Sequence, residues 1–375
     1  MGYQISQITG GLVNGTTTVS ADWLRAAVGS VFRGVGFSAD AAAQVAESLV
    51  EADMCGVASH GTMLLPMYVE RLRSGSVSRH ERAEVVADTG AVAVLDGRHA
   101  LGQLTGRQAM DLAVDKAKQF GIGAVTVRHA FHFGRAASYA QQAAAAGCIG
   151  LATSNTRPLM PAVGGAEPVV GNNPVAVGVP ADDADHAVTL DMALSEAALG
   201  KIRMAEAEGR TIPDTWASDA DGVPTTDPTA AIAGMLLPTG GPKGFGLALV
   251  VDMLTGVLSG GAFGQAVQGL YKDTATPNDC AHFFLAINPE AFGGGFAQRA
   301  TALGEEVLRS RPRPGVERVL LPGQPEEARR RRAETAGVTL EGSVLEGLRR
   351  AADLVGAQLP AADETDLIEE ESNVR

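Results

Sequence analysis

Between residues 84 and 155 the chain alternates between two periodicities, and that alternation constrains its fold more than any other feature. "EVVADTGAVAVLDG" (84–97) reads as two short strands around Thr89–Gly90. "TGRQAMDLAVDKAKQFG" (105–121) has the spacing of a helix, with Thr105 and Gln108 placed as a capping box. "IGAVTV" (122–127) reads as a buried strand, "GRAASYAQQAAAAG" (134–147) as a helix and "CIGLATSN" (148–155) as another strand. "PVAVGVP" and "HAVTLDMAL" continue the strand signal. Strands interleaved with helices build a layered α/β body. Their joining does not require them to be parallel, so the sheet order stays open. Apolar residues make up 45% of the chain but aromatics only 5%, with 46 glycines. Such a core is closed by small side chains where elements meet.

The flanks differ in texture. "SADWLRAAVGSVF" and "SADAAAQVAESLVEADMCG" are helices with Ser20 and Ser38 as caps, and Asp40 falls in a first turn, where free amides favour negative charge. "TMLLPMYVERLRSG" predicts a third helix, with Leu64, Met67, Tyr68 and Leu72 on one face and Pro66 early enough to be tolerated. Residues 209–228 are rich in Gly, Pro, Asp and Thr and predict an ordered loop anchored by Trp216. "KGFGLALVVDMLTGVLSGG" predicts an apolar helix and "AHFFLAINPEAF" a strand; after residue 300 come a helix, a strand at "VERVLLPG" and a helix from Pro325. The expected division is a helical N-terminal part (1–85), a mixed α/β domain (86–290), a C-terminal segment completing the first part (291–355) and an acidic, disordered tail (356–375).

Several classes of function are disfavoured. A net charge of -13 is a poor match for nucleic acid, and the arginines at 329–332 follow two glutamates, as on a solvated helix face. Cys55, Cys148 and Cys280 are three and widely spaced, which is a poor disulfide framework and fits a reduced, cytoplasmic protein. The N-terminus lacks a basic region followed by an apolar stretch, so no signal peptide is expected, and no apolar run reaches the roughly 18 residues of a membrane span. The sequence contains neither G-x-G-x-x-G opening a βαβ unit, nor a P-loop, nor G-x-S-x-G, which argues against a Rossmann site and against serine hydrolysis.

Polar residues gather in a few short loops instead. "RHAFHFG" (128–134) places His129 and His132 three apart after a strand. Two histidines alone do not make a zinc site, which needs three or four converging ligands, and no metal is expected. "ASHG" (58–61) sets His60 before a helix, while "SNTRP", "GNNP", "LDMALS" and "GGPKGFG" place Arg157, Asp191, Ser195 and Lys243 at strand or helix ends.

Taken in order, "ADMCGVASHGTMLLPMYVERL", "VRHAFHFG", "GNNPVAVGVP", "LDMALS", "GKI", "LLPTGGPKGFGLALVVDMLTGVLSG" and "LLPG" closely resemble the malate/L-lactate dehydrogenase family, which is distinct from the Rossmann dehydrogenases. Ureidoglycolate and sulfolactate dehydrogenases, 2,3-diketogulonate reductase and reductases of cyclic imino acids are among its members. The resemblance spans roughly residues 8 to 350. It implies an α+β, non-Rossmann fold with a helical N-terminal part and a separate mixed-sheet nicotinamide-binding domain. It also implies NAD or NADP as cofactor, no metal, a small-molecule substrate and a homodimer with the site near the subunit contact.

The resemblance further implies that His132 is the proton donor and that His60, beside Ser59, orients the substrate or supplies a second hydrogen bond. An imidazole suits both directions of such a reaction, because its unperturbed pKa lies near neutrality. Asp191, Met192 and Ser195 would run along the dinucleotide, and Lys243 and Gly244 would meet its pyrophosphate at a helix N-terminus. Gly323 and Gln324 would lie near the other end of the cofactor. His129 stands where the family usually has Asn and is expected in the substrate pocket. Leu64 stands where the family carries an arginine that pairs with the substrate carboxylate, and leucine cannot make that contact. Arg157, Arg135 or Lys201 would replace it, or the substrate lacks a carboxylate there. With Ala130 where the family often has Ser, the pocket is expected to be less polar than in lactate and malate enzymes, for a substrate of a specialised pathway. The expected activity is reduction of a 2-oxo acid or related ketone, or the reverse alcohol oxidation. The alternatives are a cyclic imine reductase and a catalytically inactive cofactor-binding or scaffold protein.

Overall fold

The computed structural model describes residues 15–271, 273–362 and 366–368. The N-terminal segment read for targeting signals and half of the acidic tail lie outside them. The chain divides into two compact units: one formed by the two ends of the chain, up to Glu81 and from Gln324, and one running from Arg82 to Gly323.

The first unit opens with β1 (Thr16–Val19), α1 (Ala21–Val35), α2 (Ala39–Met54) and α3 (Leu65–Ser74). Ser20 and Ser38 cap α1 and α2 by accepting from the backbone N–H of Trp23 (3.1 Å) and Ala41 (3.2 Å). Leu64, Met67, Tyr68 and Leu72 are all buried, as their spacing requires.

The second unit carries a seven-stranded sheet ordered β2-β3-β4-β12-β5-β8-β9. Its strands are β2 (Glu84–Thr89), β3 (Val92–Asp96), β4 (Ile122–Ala130), β5 (Ile149–Ser154), β8 (Val175–Val179), β9 (Val188–Met192) and β12 (Cys280–Ile287). Only the β3–β4 pair is parallel; every other neighbouring pair is antiparallel. As a result β3, β4, β5 and β9 all end at the edge where β8 and β12 begin. Two minor ribbons pair β6 (Met160–Pro161) with β7 (Pro168–Val170), and β10 (Ala217–Ser218) with β11 (Met235–Leu236). The helices are α4 (Gly102–Phe120), α5 (Ala136–Ala145), α6 (Leu199–Ala207), α7 (Pro228–Ala233), α8 (Pro242–Asp252) and α9 (Phe296–Leu308). A π-helical stretch, Met253–Val257, prolongs α8.

The alanine-rich composition finds its use between α4, α5 and the sheet. Ala109, Ala113, Ala117, Ala140 and Ala143 pack there with Met110, Val125, Val127 and Phe284. A Cβ at Gly150 would lie 2.4 Å from the Ala143 Cβ, and one at Gly178 would lie 2.3 Å from the Ala140 carbonyl. The helix therefore rests on bare backbone.

The chain returns to the first unit through α10 (Gln324–Ala336), β13 (Val338–Glu341), α11 (Gly342–Val355) and β14 (Leu367–Ile368). β13 and β14 flank β1. Three expectations are corrected here. The segment 291–323 lies in the second unit, because Thr301 Oγ1 accepts from Asp182 N–H (3.1 Å) and the Pro322 carbonyl accepts from Thr189 N–H (3.0 Å). "VERVLLPG" forms no strand. Part of the tail is ordered: Ser20 donates from its backbone N–H to the Asp366 carbonyl (2.9 Å) and from its hydroxyl to the Asp366 carboxylate (2.7 Å).

Candidate active site

The shared edge of β3, β4, β5, β8, β9 and β12 gathers most of the polar residues singled out by sequence. Asp96 stands opposite Arg128, Ala130 opposite Cys280, His282 opposite Ser154, Thr153 opposite Val175, and Val175 opposite Met192.

His132 sits in the loop between β4 and α5. Its neighbours Phe131 and Phe133 are both buried, each contributing about 2–3 kcal/mol of burial that pins the loop on either side of the imidazole. Phe133 is stacked between Tyr139 (ring centroids 5.0 Å apart) and His282 (4.4 Å). The Tyr139 hydroxyl donates to the Phe133 carbonyl. A Cβ at Gly102 would lie 2.1 Å from the Phe131 carbonyl and 2.7 Å from that of His132, so only glycine lets the start of α4 close on the loop. Gly134 N–H donates to His132 Nδ1 (3.4 Å), which places the ring proton of the neutral form on Nε2.

His129 is bonded through Nδ1 to Asp96 Oδ2 (2.9 Å), which Arg128 Nε also approaches (3.3 Å). Asp96 was not picked out by sequence: only the β3–β4 pairing brings it to His129. These two bonds help hold its carboxyl below the usual carboxylate range against the opposing effect of burial. Among the described residues, no group of three or more His, Cys, Asp or Glu is arranged to hold a metal ion.

The asparagines of "SNT" and "GNN" are braces. Asn155 accepts from Ala281 N–H (2.7 Å) and donates to Asp252 Oδ1 and the Ala262 carbonyl (2.9 Å each). Asn173 accepts from Thr156 N–H (2.9 Å) and donates to the Ala248 carbonyl (2.8 Å). Together they tie α8 to the sheet edge. Burial pushes the Asp252 carboxyl up despite the bond from Asn155. Two residues beyond Asn155 stands Arg157, an exposed guanidinium without an acidic partner among the described residues. Its stem passes the backbone of Gly269, where an added Cβ would stand 3.0 Å from Arg157 Cδ. Burial, followed by the nearby charge of Arg203, lowers its pKa. Of the other cations considered, Arg135 is buried and donates to Gln141 Oε1 (2.9 Å), and Lys201 lies exposed on α6.

The elements expected to meet the cofactor lie at the same edge. Asp191 Oδ2 accepts from Ala137 N–H (3.0 Å), linking β9 to the first turn of α5, and Met192 beside it is half-buried. Ser195 bridges to Pro238 and Thr239 N–H donates to the Leu194 carbonyl (2.9 Å), which joins "LDMALS" to the start of α8. The Ser195 hydroxyl is buried and donates to the Ala197 carbonyl (2.9 Å), so it braces this turn and does not face outward. Gly240 and Gly241 take left-handed conformations with open space around them, and α8 begins without a side-chain cap. Its first-turn amides at Lys243 and Gly244 are thus open to an anion. These residues suit a pyrophosphate: unspent N–H groups, a lysine and no obstructing Cβ at Gly240 or Gly241. Gly323 (φ +92°) lies flat on β9, where a Cβ would meet that of Thr189 at 2.8 Å.

Ser59, His60, Leu64 and Gln324 belong to the first unit. Ser59 Oγ lies 2.9 Å from His60 Nδ1. Leu64 is 2% exposed and packs in the core of this unit. Asp53, also missed by sequence, lies beneath the Ser-His-Gly turn and accepts from Thr62 N–H (2.8 Å). Burial pushes its carboxyl up to about 6. Gln324 is the first residue of α10.

The chain is similar to proteins of one known family. The profile of the family described as malate/L-lactate dehydrogenase matches residues 19–349. L-sulfolactate dehydrogenase of Methanocaldococcus jannaschii is 40% identical over 287 residues, 75% of this chain and 81% of that protein. Ureidoglycolate dehydrogenase (NAD(+)) of Escherichia coli K12 is 36% identical over 315 residues, covering 84% and 89%. The solved structure of the Methanocaldococcus jannaschii sulfolactate dehydrogenase superposes with a TM-score of 0.86 at 34% identity, over 91% of this chain and 98% of that one.

Proposed function

The chain belongs to the malate/L-lactate dehydrogenase family and is an NAD(P)-dependent oxidoreductase, and from that premise we propose that it interconverts a 2-oxo acid or related ketone with its 2-hydroxy counterpart at the edge of the seven-stranded sheet. The observation that carries this reading is the meeting on one edge of His132, the exposed Arg157 and the open N-terminus of α8.

The nicotinamide dinucleotide, when bound, supplies or accepts the hydride. Lys243 and the free amides of α8 hold its phosphates, and Asp191 and Met192 line its path. His132, fixed by Phe131 and Phe133, gives a proton to the carbonyl oxygen in reduction and takes it back in oxidation. Arg157 holds an anionic or polar group at the far end of the substrate.

The exposed apolar stripe of Leu247, Val250, Met253, Val257 and Leu258 along α8 supports a homodimer built on that helix. Among the described residues no helix is long and apolar enough to cross a membrane. Three free, buried cysteines support a reducing, cytoplasmic setting.

A panel of 2-oxo acids, neutral 2-oxo amides and cyclic imines, each with NADH and NADPH, tests the reading. Turnover of a 2-oxo acid or ketone is expected. Turnover confined to cyclic imines would replace it with imine reduction. Tight cofactor binding without any turnover would leave a binding protein.

A further inference from the structure

Among the described residues, four other than glycine take a left-handed backbone: Arg98 (φ 52°), His99 (56°), His129 (47°) and Asp279 (56°). All four stand together at the active edge, on the ends of β3, β4 and β12. Such conformations are strained and collect where function requires them. At His129 the consequence is visible. Consecutive strand residues normally point to opposite faces. Here Arg128 Nε (3.3 Å) and His129 Nδ1 (2.9 Å) both reach the same oxygen of Asp96. With Nδ1 so engaged, the ring is left with Nε2, on a side chain that is 39% exposed.

Other charged groups surround it. The His99 ring lies 5.6 Å away, and Asp279 Oδ1 stands 3.9 Å from His99 Nδ1. Arg98 contributes its backbone N–H to Asp96 Oδ1 (3.0 Å). On β12, burial raises the Cys280 thiol to about 12 and lowers His282 to about 3, so both are neutral. Arg128 and Asp96 offset one another, and protonation of His129 adds the net positive charge.

The carboxylate of a 2-oxo acid is one bond from the carbonyl carbon, so its partner must stand near the proton donor. His129 is three residues from His132 on the same strand end. Arg157 follows β5, which β12 separates from β4, roughly 10 Å across the sheet. Resting on the function read above, we propose that His129, positioned by Asp96, is the anchor for the carboxylate beside the reacting carbonyl, and that it binds as the imidazolium.

Such an anchor titrates, whereas a guanidinium would not. The probes are oxamate, a non-reducible mimic of a 2-oxo acid, and oxamide, its neutral counterpart. Both are titrated into the NADH- or NADPH-loaded protein between about pH 5.5 and 9, read by cofactor fluorescence and by the histidine Cε1–H resonances. As pH rises, oxamate affinity is expected to fall more steeply than that of oxamide, by up to about tenfold per unit, because oxamide keeps only the dependence set by His132. His129→Asn, which suits the left-handed backbone, abolishes the difference in pH dependence between the two probes and raises KM for a 2-oxo acid more than it lowers kcat. Asp96→Asn moves the dependence to lower pH, and Asp96→Glu restores it. Oxamate binding that is absent, independent of pH or unchanged by His129→Asn overturns the assignment. Failure of the function reading shows separately, as absence of turnover while oxamate binding keeps its pH dependence.

Discussion

Asp53 and Gly61 are a matched pair. A Cβ at Gly61 would lie 1.9 Å from Asp53 Oδ1, against a carboxylate that the bond from Thr62 N–H holds in place. Gly61→Ala is expected to displace the turn that carries His60 and to destabilise the fold by several kcal/mol (about 2–4), measurable by urea unfolding. Burial raises Asp53 from 3.8 to about 6. The folded state therefore holds this proton more tightly than the unfolded state, and the associated stability is complete below 3.8 and lost as pH rises through 6. The difference is on the order of 3 kcal/mol. Comparing Asp53→Asn with the parent in thermal unfolding between these pH values should remove that slope; equal slopes would contradict it. The same turn shows what sequence can convey about a residue. "SHG" is visible as a motif, but the carboxylate beneath it, eight residues earlier than Gly61, is recognisable only when α2 brings it back.

At the scale of elements, β12 supplies the floor on which the His132 loop is stacked. His282 is fully buried under Phe133, and desolvation lowers its pKa from 6.5 to about 3. It is neutral in the fold and charged when unfolded at low pH. Its contribution is present above 6.5 and lost as pH falls toward 3, a loss on the order of 4 kcal/mol. His282→Phe preserves an aromatic surface against Phe133 and should flatten the acid limb of the stability curve while leaving kcat near that of the parent. An unchanged acid limb would contradict this. Elements with local causes were legible: Ser20 and Ser38 cap where their positions indicate. The start of α4 was not. The expected box of Thr105 and Gln108 does not form, since the helix begins at Gly102 and Gln108 accepts from Ala83 N–H (2.8 Å) and donates to the Ala83 carbonyl (3.1 Å). Close approach of Gly102 to the His132 loop sets that start, and it is a tertiary contact that no local pattern encodes. "VERVLLPG" alternates like a strand but finds no ladder; only Pro322 bonds to β9, through Thr189.

For the molecule as a whole, sequence gave the mixed α/β class and the helical N-terminal part, because periodicity reports both. The division of the chain was less legible: α9 belongs to the second unit through Thr301 and the Pro322–Gly323 stretch, contacts distant in sequence. The apolar stripe along α8 belongs to this scale too. Leu258, 58% exposed, is its most open residue, and Leu258→Glu should shift the protein from dimer to monomer in sedimentation equilibrium; a parent that is already monomeric would contradict the dimer. The central claim, that the sheet edge performs proton transfer through one imidazole, is tested most directly with His132→Asn. Its affinity for NADH or NADPH should match that of the parent by fluorescence titration, while kcat for the preferred ketone falls by about 10²- to 10⁴-fold. Retention of parental kcat with cofactor binding intact would contradict it.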